Sequence, residues 1–199
     1  MRSRDGYTVT ELMVGVVIIG ILAAASVPSI SGFVRSQNAA SGTEQLGAHL
    51  RMARSRAILE GNDYLVQFTS VNQYQIVDDD GGGNGLLGAA GYDAANRNNE
   101  TADAGELIYG PYTLPHDMRF ATVSGIKNPF TAEVMASAVT FPELNAVKTV
   151  VFHSNGTAED GGFVAIAPQT DVDKGHSSRT RVLQLAASTG GVQALPAGR

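Results

Sequence analysis

Side chains of chemically useful types are sparse in this sequence, and one of them is isolated. Glu11 is the only charged residue from Gly6 to Val34. It stands before Leu12–Val34, a run with no polar face from Leu12 to Val27. A carboxylate at the edge of such a segment is costly, so it either snorkels to a polar layer or has a partner. Asp78, Asp79 and Asp80 could offer oxygens to calcium, but they lack the spaced acidic ladder and closing Glu of an EF-hand loop. A solvated loop is the expectation there, with an irregular calcium site as its alternative. His49, His116, His153 and His176 are too far apart to pair as ligands along the chain. His153, Ser154 and Asp160 are close together, but at an Asn155-Gly156 turn without a nucleophile signature. No phosphate loop, zinc-protease motif or dinucleotide fingerprint occurs. The chain is therefore not expected to be an enzyme or to carry a cofactor.

The elements that must position these residues are bounded by bulk properties. The 199 residues suit one domain plus appendages, and Arg35–Arg199 is long enough to bury a core. Net charge is −5, and removing residues 1–6 makes it one unit more negative. An acidic surface repels phosphate backbones, so nucleic acid is not the expected partner. With no Cys, disulfides and thiolate metal sites are excluded.

The apolar run is long enough to span a bilayer as a helix. Arg2 and Arg4 followed by Leu12–Leu22 and Ala23-Ala24-Ala25 fit a secretory signal peptide cut after Ala25. The same residues fit a signal anchor with its positive end inside. Neither reading accounts for Glu11. The run Gly6-Tyr7-Thr8-Val9-Thr10-Glu11-Leu12 resembles the leader junction of type IV pilins and type II secretion pseudopilins. In that family a short basic leader ends in Gly, an aromatic residue becomes the new N-terminus, and Glu is fifth after the cut. The resemblance implies cleavage after Gly6 and N-methylation of Tyr7 by prepilin peptidase. It also implies that Glu11 sets register by pairing with a neighbouring subunit's amine. Glycine suits the cut because its backbone can lie extended in a protease cleft. Pro28 matches the proline of many such helices and should kink or loosen the segment.

Beyond Arg35 the pattern becomes amphipathic. Ala39, Leu46, Leu50, Ala53 and Ala57 keep one helical face, and Gly61-Asn62 is a stop. One helix is expected from about Thr8 to Glu60. Arg51, Arg54 and Arg56 are read as its solvated face. Short strands are expected at Tyr64–Phe68, Gln73–Val77, Leu107–Thr113, Met118–Val123, Thr149–His153, Phe163–Ala167 and Thr180–Ala187, with a hairpin-type turn at Asn155-Gly156. Ala53-Arg54-Ser55, Ala57-Ile58, Phe152, Asn155-Gly156, Arg181–Leu185 and Thr189-Gly190 follow the order of the GspH/FimT branch of the pilin-like family. Some FimT-type members bind DNA through a C-terminal G-R-x-R motif. Gly190-Gly191-Val192-Gln193 stands there instead, and Arg179 and Arg181 are the only displaced basic pair. The Gly-, Asp- and Asn-rich stretch of about 78–106 reads as a mobile surface insertion.

The expected fold is α+β and pilin-like: a long N-terminal helix, half in membrane and half docked on antiparallel β-sheet. The expected domains are a leader at 1–6, a transmembrane and assembly helix at 7–34, and a periplasmic domain at 35–199. The expected function is that of a minor pilin or pseudopilin in a type II secretion pseudopilus or a type IV pilus tip. Its partners would be prepilin peptidase, other subunits and inner-membrane lipid. A pilus-borne DNA receptor contacting DNA through Arg179 and Arg181, and a plain exported β-domain protein, are the alternatives.

Overall fold

The computed structural model describes residues 8–81, 99–100, 102, 105–123, 125–128 and 133–196, without the side chains of 25–29 and 196. Helix α1 runs Val9–Glu60. It ends where Gly61 takes a left-handed conformation and its N–H donates to Ala57 O at 3.0 Å. Residues 25–29 are helical, so Pro28 does not end the helix. Residues 1–37 and 38–199 form separate compact units.

Residues 9–37 of the first unit are helical, and their large apolar side chains from Val9 to Leu22 are more than half exposed. Among the described residues no helix is long and apolar enough to cross a membrane. The side chains of 25–29, in the middle of the apolar run, lie outside that description.

The second unit holds two antiparallel sheets. One has β1 (Asp63–Phe68), β2 (Gln73–Asp79), β3 (Ile108–Thr113), β5 (Glu143–Leu144) and β6 (Val147–Phe152), in the order β3-β2-β1-β6-β5. The other has β4 (Met118–Phe120), β7 (Gly162–Pro168), β8 (Arg181–Ala186) and β9 (Gly191–Pro196), in the order β4-β7-β8-β9. Both sheets pack on the apolar stripe of α1. Ala39, Leu46, Leu50, Ala53 and Ala57 share one core with Tyr64, Val66, Ile76 and Phe152 of the first sheet and Val164, Ile166, Leu183 and Leu185 of the second. Alternate residues of the same strands point the other way. Leu65, Val77 and Val151 cluster behind the first sheet, and Ala165, Ala167 and Val182 behind the second.

The seven expected strands are all present, with shifted ends. Three elements escape the sequence reading: β5, β9 and a short helix α2 (Gln169–Lys174). β9 contains Gly191, Ala194 and Pro196, poor strand formers, and owes its state to full pairing with β8 from Arg181↔Pro196 to Ala186↔Gly191. The Asn155-Gly156 turn exists, with His153 N–H donating to Thr157 O at 2.9 Å. It does not join sheet neighbours, however, because β6 and β7 belong to different sheets. Asp78 and Asp79 are the last residues of β2, and Asp78, Asp79 and Asp80 are all buried. The strand therefore runs two residues past Val77 and takes in two carboxylates read as loop. Residues 82–98, the bulk of the expected insertion, lie outside the described residues.

Candidate functional site

Gly6 and Tyr7, the expected cleavage and methylation residues, lie outside the described residues; Glu11 lies within them. Thr8 Oγ1 accepts from Glu11 N–H at 3.3 Å, while Thr8 N–H and hydroxyl donate to Glu11 Oε2 at 3.1 and 3.0 Å. This reciprocal arrangement is a capping box, which satisfies otherwise orphaned donors at the helix start. The Thr-x-x-Glu spacing before an apolar run would have revealed it from sequence. Glu11 thus has a partner within its own chain, and both residues stay exposed.

At the other end of α1, two of the three arginines expected in solvent are engaged. Arg54 Nε donates to Gly156 O at 2.8 Å. A Cβ at Gly190 would lie 2.5 Å from Gly156 O and 2.8 Å from Arg54 Nε, and one at Gly156 would lie 2.7 Å from Ile58 Cδ1. Both glycines also have positive φ. The turns at 155–156 and 189–190, distant in sequence, therefore close on one arginine. Arg56 lies over the Tyr109 ring at 4.4 Å and donates to its hydroxyl at 2.5 Å. Arg51 is exposed, as expected. The reason for the difference is position: Arg54 and Arg56 flank the buried stripe and meet the sheet margins.

Each arginine of the basic pair considered for DNA has an acidic residue beside it. Arg179 makes a two-pronged ion pair with fully buried Asp171, which raises the guanidinium pKa further. Arg181 sits on β8 and lines a cleft of about 250 Å³ with Ala40, Thr43, Glu44, Ala194 and Leu195. Arg179 is thus already engaged by a carboxylate, and Arg181 shares its cleft with Glu44.

Among the histidines, His49 Nδ1 lies 2.9 Å from Tyr74 Oη, and its ring is 4.0 Å from that of Tyr112. Burial lowers its pKa. His153 Nδ1 lies 2.8 Å from Asp63 Oδ2, and Asp63 Oδ1 accepts from Ser154 N–H. His153 thus pairs with Asp63, not Asp160, and the Ser154 contact is through its backbone. Asp78 Oδ2 lies 2.6 Å from Tyr64 Oη, its Oδ1 accepts from Asn62, and Asp79 accepts from Glu100 N–H at 2.7 Å. Among the described residues no group of three or more His, Asp or Glu is placed to hold a metal.

A capped apolar helix start followed by an amphipathic half docked on two antiparallel sheets defines an α+β, pilin-like protein. Residues 1–27 match the prokaryotic N-terminal methylation motif, and residues 42–191 match the type II transport protein GspH family. The second match spans about three quarters of the chain, and the chain belongs to the GspH family. Two fimbrial proteins of Pseudomonas aeruginosa are each 35% identical over 77 residues, 38% of this chain. The chain spans about half the length of these curated relatives (49%). Two solved structures of the minor pseudopilin EpsH from the type II secretion system of Vibrio cholerae are 14% and 15% identical. They have TM-scores of 0.45 and 0.44, with 81% and 82% of this chain and 99% and 97% of theirs covered.

Proposed function

We propose that this chain is a structural subunit, a minor pilin or pseudopilin, made as a precursor and built into a short helical assembly. Prepilin peptidase cuts after Gly6 and methylates the amine of Tyr7. Residues 7–34 anchor the chain once across the bacterial inner membrane, with residues 35–199 in the periplasm. Assembly into a type II secretion pseudopilus or a type IV pilus tip follows through the N-terminal helix, and no catalytic step is required of the chain. The observation that carries this reading is the apolar half of α1, exposed from Val9 to Leu22 within the stretch that matches a methylation motif. Such a surface calls for lipid or other helices around it.

Glu11 then has two successive tasks. In the free subunit it caps its own helix; in the assembly its charge pairs with a neighbour's amine, which removes most of the cost of burying it. Glu11→Gln separates them, because Gln retains the capping geometry and loses the charge. It should insert and be cut normally but assemble poorly, and wild-type assembly of this variant would disprove the charge pairing. Mass mapping of the mature N-terminus tests processing. A chain beginning at methylated Tyr7 is expected, and one beginning at Ser26 would overturn the reading. Loss of exoprotein secretion or of twitching motility on deleting the gene distinguishes the two machines; a deletion that leaves both intact argues against either.

A further inference from the structure

Where α1 hands over to the sheet, two carboxyl groups meet one hydroxyl. Tyr64 Oη lies 2.6 Å from Glu60 Oε2 and 2.6 Å from Asp78 Oδ2. A phenol has one proton to donate, so it can satisfy one carboxylate at that distance. The second short contact requires a proton on a carboxyl group, donated back to the phenol oxygen.

The surroundings decide where that proton sits. Glu60 is exposed to water, and Arg56 stands 3.7 Å from its other oxygen. Asp78 is buried, with Asp80 nearby on the same chain segment and Asn62 Nδ2 donating to Oδ1 at 3.4 Å. Among the described residues, the other charged or titratable groups facing this site are Arg56 from α1, Tyr64 from β1 and, through Arg56, Tyr109 from β3. Asp63 and Asp79, one residue along each strand, fall on the opposite face of the sheet. Burial, with the charges of Asp80 and Glu60 adding to it, pushes the Asp78 carboxyl up to about 6.

We propose that Glu60, Tyr64 and Asp78 form a proton-operated latch, in which one bound proton ties the last turn of α1 to the end of β2 and its loss lets them separate. In the latched state Asp78 donates to Tyr64 Oη, and Tyr64 donates to Glu60. When Asp78 ionises, the hydroxyl must choose between two carboxylates, and the one it abandons faces a phenol lone pair. The strand end held by the latch also receives Glu100, whose N–H donates to Asp79. The latch therefore bears on three segments at once: the helix end, β2 and the chain returning at residue 100.

The sign follows from linkage. A carboxyl whose folded pKa is raised binds protons more tightly when latched, so latching strengthens as pH falls from about 6 towards the ordinary aspartate value and is flat above 6. The test uses the full chain in detergent micelles, with isotope-labelled aspartate carboxyls followed by NMR. One aspartate should titrate near pH 6, and Asp78→Asn should remove that signal. Amide exchange in the last turn of α1, corrected for its intrinsic pH dependence, should slow on the order of tens of fold between pH 7 and 4. Asp78→Asn should abolish this change, since its amide donates to Tyr64 at every pH. Glu60→Gln frees Tyr64 to donate to ionised Asp78, so the Asp78 titration should move down. No aspartate titrating above the ordinary range would overturn the latch. So would an unmoved Asp78 titration in Glu60→Gln, which would leave burial and the Asp80 charge as the causes. The wild-type and Glu60→Gln arms decide the matter even if Asp78→Asn does not fold.

Discussion

From Val9 to Leu22 every large apolar side chain of α1 is more than half exposed, from 52% at Ile18 to 78% at Val9. From Ala39 to Ala57 the apolar stripe of the same helix is at most 1% exposed. The backbone is one helix throughout; what changes is the supply of partners. The second stretch has two sheets of its own chain to pack against. Among the described residues the first has no such cover; the cap at Thr8 and Glu11 holds its start, while its many Val, Ile and Gly residues are not strong helix formers. A helix can therefore belong to a folded domain at one end and await its surroundings at the other. The sequence marks the change where uniform apolarity gives way to a stripe.

The largest effect expected from this contrast is in packing. Leu50→Ala should destabilise the detergent-solubilised chain by about 2–5 kcal/mol, whereas Ile18→Ala should change it by less than about 0.5 kcal/mol. Thermal melts of the two variants compare them directly, and similar losses would break the distinction between the halves. A smaller effect is expected from pH at the docked half. His49 is held neutral by burial, so its contribution is complete above the unfolded value of about 6.5 and is lost as pH falls below it. His49→Gln should melt with a weaker fall in stability below pH 6.5 than the wild type. Because protonation at Asp78 acts in the opposite direction between about pH 6 and 4, the difference between the two proteins is the quantity to read. The smallest effect on melting belongs to Thr8→Ala. It should weaken the helix start by about 1 kcal/mol, seen as faster amide exchange in the first turn with the melting temperature of the sheet domain unchanged. A drop in that temperature would show the two halves to be energetically coupled.

Much of this was readable in order along the chain. The 3.6-residue spacing of Leu46, Leu50, Ala53 and Ala57 gave the buried face, and Gly61 gave the stop, because helix periodicity and termination are local properties. The short apolar and aromatic run Tyr64–Phe68 after the Gly61-Asn62 stop marked β1 but could not say what would cover its second face. Arg54 and Arg56 are not the solvated residues expected, since a position on a helical wheel says nothing about the Gly156 turn and the Tyr109 ring that meet them. β9 was missed because its strand state comes from β8, not from its own residues.

Sequence alone determined the isolated charge of Glu11, the apolar run behind it, the absence of disulfides and the helix-then-strands order. These depend on residue type and spacing, which folding does not alter. Only the tertiary structure decided that Asp78 would be buried against Tyr64 and Glu60, that Arg179 would be taken by Asp171, and that Gly156 and Gly190 would meet at Arg54. Each of these pairs residues brought together by sheet pairing and helix docking. Their chemistry comes from a shared, water-poor environment that no single segment can specify.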